Sequence, residues 1–194
     1  MAAARTSFAA KGVGVSVEEI ARRAGVGMGT LYRRFPTKED LIDAVLEEAL
    51  QDFVRAAERA LAAEDAWIGF RSFLEQAFAL QVENRGLKDV LATRAHGRAR
   101  LEAARARMRP LVNRLVERAR DQGALRSDFA PEDMPLVLWS GAHVVEATAA
   151  IAPDVWRRYL GLVLDGLRAE RATPLVSRPL TRSQIDRVME RRNR

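Results

Sequence analysis

The side chains best suited to gripping another molecule are concentrated between Met28 and Lys38. If 28–35 is helical, Leu31 and Phe35 share an inward face, and Met28, Gly29, Thr30, Tyr32, Arg33 and Arg34 are turned outward. The outward set carries a hydroxyl, a phenol and two guanidiniums; such groups bind phosphate oxygens, and arginine also offers a two-pronged donor to guanine. Gly29 would let the helix approach a duplex backbone closely. Lys38 stands where the next helix starts, and there free amides and a cation together favour a phosphate. The chemistry on offer is recognition of double-stranded DNA in the major groove.

Covalent and metal chemistry find much less to work with. There is no cysteine and only two histidines, His96 and His143, so disulfides, thiolate metal sites and thiol nucleophiles are excluded. His143 and Glu146 fall on one expected helix face, but two ligands do not hold a metal, and no matching Glu-x-x-His stands on a second helix. Ser140, His143 and Glu146 follow each other along that same helix and so make a poor nucleophile, base and orienter. No catalytic residue, metal site or cofactor is expected. This weakens the reading of the C-terminal part as an enzyme or metal-binding bundle fused to a DNA module.

The DNA-facing residues need elements to hold them. Ser16 can cap a helix by accepting from the amide near position 19, with Glu19 placed as the reciprocal acid of a capping box. Ile20, Ala21 and Ala24 form its apolar stripe, Gly25 ends it in a tight turn, and Val26 is the expected buried anchor of that turn. A second short helix begins at Met28, and two short helices joined by a Gly-containing turn describe a helix-turn-helix. Arg22 and Arg23 read as a solvated face.

Elsewhere apolar residues recur at three and four positions, so the fold class is all-α. Gly25, Pro36, Gly86, Gly97, Gly123, Pro131, Pro153 and Pro174 punctuate about nine or ten helical pieces. A long amphipathic piece is expected over 38–62, followed by pieces near 67–84, 87–95, 101–122, 132–151 and 154–171. Thr181 and Gln184 have capping-box spacing for a terminal helix. Charge is uneven: residues 1–40 hold seven Lys/Arg against four Asp/Glu, 41–93 five against ten, and 94–126 ten against three. The arginines from Arg98 through Arg100, Arg105, Arg107 and Arg109 read as solvated faces opposite the acidic segment. No apolar run is long enough to span a bilayer, and the cytoplasm is the default address.

The stretch from Ser16 to Leu41, SVEEIARRAGVGMGTLYRRFPTKEDL, resembles the tetracycline-repressor-like (TetR) family. The resemblance covers both helices of the reader and the start of the next, with Leu-Tyr-x-x-Phe-x-x-Lys-x-x-Leu combining core and contact positions. It implies DNA contacts from Ser16, Val17, Met28, Gly29, Thr30, Tyr32, Arg33, Arg34 and Lys38. Family members usually carry a fuller first helix and often a basic arm. Here only 2–11 precede the reader, which reads as a shortened start, and no arm contact in the minor groove is counted.

The same resemblance implies a homodimer that reads a palindromic operator and is released by a small-molecule effector. The expected organisation is a helix-turn-helix domain at 1–45, a helical ligand-binding and dimerisation domain at 46–173, and a linker with a C-terminal helix at 174–194. Pocket candidates are Phe70, Leu74, Phe78, Leu91, Met108, Val112, Trp139 and His143, with Arg94, His96 and Glu146 as further polar candidates. Dimer candidates are Trp139, Gly141, Val144, Trp156, Tyr159, Leu160, Val163 and Leu167, apolar or small residues that let helices approach. A ligand-independent DNA-binding or partner-binding regulator is the alternative.

Overall fold

In the computed structural model, which describes residues 1–84 and 95–192, side-chain caps set four of the helix starts. Ser16 accepts from Glu19 N at 3.2 Å and starts a helix, while Thr37 and Asp40 form a full capping box at the head of a much longer one. Asp65 accepts from Ile68 N at 2.8 Å, and Thr181 pairs reciprocally with Gln184. The resulting elements are α1 (Ala2–Lys11), α2 (Val17–Ala24), α3 (Met28–Arg34), α4 (Lys38–Leu61), α5 (Ala66–Glu83), α6 (Ala95–Asp121), α7 (Met134–Thr148), α8 (Val155–Leu167) and α9 (Arg182–Arg192). Short 3-10 turns cover Gly12–Gly14, Pro131–Asp133 and Ala169–Arg171. Among the described residues there is no strand, only an isolated antiparallel bridge between Leu125 and Arg168. The fold is all-α.

Three sequence expectations need correction. Glu19 does not close the capping box at Ser16, because its carboxylate is drawn to the Lys11 ammonium at 2.6 Å. Val26 is not a buried anchor: Ile20, Ala21 and Leu31 fill the space between α2 and α3, and Val26 remains 39% exposed. Gly97 does not break the chain, since α6 begins at Ala95 and runs through it. The expectations at Gly86, Leu91 and Arg94 lie outside the described residues.

Burial divides into two clusters joined by α4. The N-terminal cluster gathers Ala4, Phe8, Val15, Ile20, Leu31, Leu41, Ile42, Val45 and Leu46, so α1 serves chiefly to roof the two-helix reader. The larger cluster packs α4, α5, α6, α7 and α8 around Phe70, Phe73, Leu74, Phe78, Leu115, Val116, Met134, Trp156 and Leu160. Leu41 to Leu46 of α4 belong to the first, and Ala56 to Ala60 to the second. A single rigid helix thus spans both cores.

Polar side chains pin the far end of α4. The Arg118 guanidinium donates to the carbonyls of Leu61, Ala63 and Glu64 at 2.7, 2.5 and 2.7 Å, and Gln122 Oε1 accepts from Ala66 N at 2.9 Å. The Leu61 bond satisfies a carbonyl that the end of α4 leaves unpaired, and the Gln122 bond an amide at the start of α5. At the near end, Arg5 of α1 reaches Asp52 of α4 at 2.5 Å and Glu83 of α5 at 3.5 Å.

Candidate nucleic-acid interface

The reader is built from two caps and a turn. After α2, Gly25 takes φ 67° and ψ 26°, the left-handed conformation that an L side chain resists. Its amide and that of Val26 return to the carbonyls of Arg22 and Ala21, at 3.2 and 3.1 Å. This paired closure turns the chain sharply, so that α3 starts only three residues beyond α2. Leu31, buried in the N-terminal core, with Phe35 half-buried beside it, fixes the rotation of α3 about its axis.

With that rotation set, Gly29, Thr30, Tyr32, Arg33 and Arg34 all face solvent, and Tyr32 is 43% exposed although aromatic. Arg34 is steadied by the Phe35 ring, with its Cζ 5.5 Å from the centroid. Met28 leans against the N-terminal core and is only partly available. Ser16 is exposed, with its hydroxyl oxygen already accepting from Glu19 N. Val17 is buried, so what it can turn outward is its backbone amide at the start of α2. Lys38 is half-exposed at the start of α4 and lies near Glu18. The Glu18 carboxyl is held below its usual range chiefly by a backbone amide, with Ser16 and the Lys38 charge adding to the effect.

A hydroxyl, a phenol and two guanidiniums exposed on α3, with the helix-start amides of α2 nearby, suit a phosphate backbone and the edges of bases beneath it. Arg5, the one basic residue on α1 before Lys11, is turned away from this face by its bonds to Asp52 and Glu83.

Residues 1–45 match the family described as bacterial regulatory proteins, tetR family, and residues 62–169 match the C-terminal domain of SbtR-like transcriptional regulators. A solved TetR regulatory protein from Mycobacterium vanbaalenii is 31% identical, with 86% of this chain and 90% of that one covered at a TM-score of 0.66. The chain belongs to the TetR family.

This TetR-family chain is also similar to the regulator SCO0520 from Streptomyces coelicolor: 30% identity, coverage of 87% and 95%, TM-score 0.66. The ketosteroid regulator KstR2 of Mycobacterium tuberculosis, at 21% identity with 86% and 92% covered and a TM-score of 0.60, shares the fold. The TetR-family assignment makes residues 1–45, which include α2 and α3, the DNA-binding helix-turn-helix domain.

In the body of this TetR-family protein, the residues considered for a pocket separate by depth. Phe70, Leu74 and Phe78 have no exposed surface, and Phe70 stacks on Trp67 and meets Phe129 edge-on, with centroids 5.9 and 6.0 Å away. Met108 and Val112 are partly buried against the same core, Trp139 is half-buried, and His143 and Glu146 are exposed. Among the described residues no three His, Cys, Asp or Glu side chains come together in a way that could hold a metal. No described helix is long and apolar enough to cross a membrane.

The residues considered for dimerisation separate too. Trp156, Leu160 and Leu167 are spent in the subunit's own core, and Gly141 is buried against the Phe78 ring. Val144, Tyr159 and Val163 are half-buried at its edge. The exposed large apolar residues of α7 and α8, and of the loop between them, are Leu136, Leu162 at 63% and Ile151 at 89%. Helix periodicity could have found Leu162, three residues beyond Tyr159 and off the face of Trp156, Leu160 and Leu164, had the inward face been known.

Proposed function

We propose that this TetR-family regulator is a homodimeric repressor that inserts α3 of each subunit into successive major grooves of a pseudo-palindromic operator, about 34 Å apart. The observation that carries the reading is the common outward orientation of Thr30, Tyr32, Arg33 and Arg34 on α3, beside Lys38 and the start of α2. Arg33 and Arg34 grip phosphate or guanine, Thr30 and Tyr32 bind backbone phosphates, and Gly29 leaves room for close approach. Ser16, the amide of Val17, the exposed edge of Met28 and Lys38 complete the footprint.

The two-fold interface is the exposed face of α7 and α8, with Leu136 and Leu162 at its centre and Trp139, Val144, Tyr159 and Val163 along its edges. Ala147 and Gly161 on the same exposed side leave the facing helices little to clash with. A small organic effector binds in the body between α5, α6 and α7, beside Leu74, Phe78, Met108, Val112 and Trp139. Binding favours a different tilt of α4 and moves the two readers out of register. The coupling equals the difference in effector affinity between the two tilts.

The test starts from binding sites selected out of random duplexes. On the selected site, Arg34→Ala and Tyr32→Ala each weaken binding by about 1–3 kcal/mol without lowering the melting temperature, and the arginine variant also reduces the salt slope by about one. Affinity and slope unchanged in both variants would remove α3 from the interface.

A further inference from the structure

The C-terminal end of α5 and its cap carry two acceptors with nothing to accept. Gln81 Nε2 donates to the Leu138 carbonyl of α7 at 2.9 Å, and Asn84 Nδ2 donates to the Leu80 carbonyl at 2.7 Å. A backbone carbonyl only accepts, so each contact identifies the nitrogen end of its amide and leaves the oxygen end for another partner. Gln81 Oε1 and Asn84 Oδ1 are both shut off from solvent, and neither meets a donor. A buried acceptor in that condition has given up hydration without return, and folded proteins carry few of them.

Other buried polar atoms without partners among the described residues are Ser7 Oγ on α1, Glu48 Oε2 on α4 and Trp67 Nε1 at the other end of α5. Gln81 and Asn84 differ in being three residues apart at one end of one helix, Gln81 in the last turn of α5 and Asn84 as its C-cap. The bond to Leu138 sets that end against α7, the side on which Leu74, Phe78 and α7 meet. Glu83 leaves the helix on another side, toward Arg5, and that guanidinium is already engaged by Asp52.

We propose that Gln81 and Asn84 are the specificity-determining residues of the effector site, and that the effector carries N–H or O–H donors on an apolar body. This rests on the effector reading above. Two buried carbonyl oxygens one helical turn apart attract an ammonium, amide or hydroxyl hydrogen and repel a carboxylate, so the site selects donor-bearing molecules over anionic or donor-free ones of equal size. Occupancy is also placed to be felt in the head, because the neighbouring Glu83 is tied through Arg5 to α1.

The test uses four probes of one chain length, decylamine, 1-decanol, methyl decanoate and decanoate, titrated calorimetrically into the full chain and into Gln81→Met and Asn84→Leu variants. Decylamine and decanol bind at least about tenfold more tightly than the ester or the acid, the scale of one hydrogen bond. Both variants lose that preference while keeping their affinity for the ester. Equal binding of amine and ester, or a preference that survives both substitutions, overturns the proposal. Failure of all four probes to bind overturns the effector reading itself.

Discussion

At the scale of single residues, the body of the molecule is shaped around groups that fit only one way. A Cβ built on Gly141 would stand 2.2 Å from the Phe78 Cζ, so the ring of α5 occupies the space where a side chain of α7 would be. Phe78 in turn meets Trp156 and Tyr159 with centroids 6.2 and 6.3 Å away and has little freedom to withdraw. Gly141→Ala is therefore expected to destabilise the fold by about 1–3 kcal/mol in urea unfolding, and adding Phe78→Leu should recover part of the loss.

Arg126 and Asp128 hold the start of the C-terminal tail. Arg126 donates to Asp128 at 2.6 Å and to the carbonyls of Gly166 and Thr173, and Asp128 accepts from Leu175 N at 2.9 Å. The guanidinium bond, followed by the Leu175 amide, holds the Asp128 carboxyl down from 3.8 to about 2. A depressed carboxylate contributes stability that is complete above its unfolded value and is lost as pH falls toward its folded one. Melting temperatures recorded between pH 5 and pH 2 should fall less steeply for Asp128→Asn than for the wild type, the variant starting lower.

At the scale of elements, the reader stands on its turn. Gly25 holds a positive φ that costs other residues about 1–2 kcal/mol, so Gly25→Ala should lower stability by that amount and loosen α3 against α2. Proton exchange of the α3 amides would register the loosening, and unchanged protection would argue against the role given to the turn. This part of the molecule was legible in the sequence because its determinants are local: Ser16, Gly25, Leu31 and Phe35 act within 20 residues of one another. The faces of α7 and α8 were not. Both helices are apolar on more than one side, and which of Trp156 and Leu162 turns inward depends on α5, which lies far away in sequence. The bonds of Arg118 to Leu61 and of Arg5 to Glu83 join residues 57 and 78 positions apart, beyond the reach of any periodicity.

At the scale of the whole molecule, the exposed Leu162 offers a clean separation of folding from assembly. Leu162→Glu touches nothing in the subunit's buried core, so the melting curve of the isolated subunit should be nearly unchanged. Sedimentation should then shift from dimer to monomer, and affinity for a two-half-site duplex should fall far more than affinity for a single half-site. Dimers surviving the charge would move the interface elsewhere.

The pinning of α4 at one end has a mechanical consequence. With Leu61 held by Arg118, a helix of 24 residues and about 36 Å acts as a lever whose fulcrum is remote from DNA. A rotation of about 5° at that fulcrum carries Thr37 through about 3 Å, while a contact halfway along need move only about half as far. Both levers of a two-fold assembly would add their travel, which gives a small displacement deep in the body a large stroke at the reader.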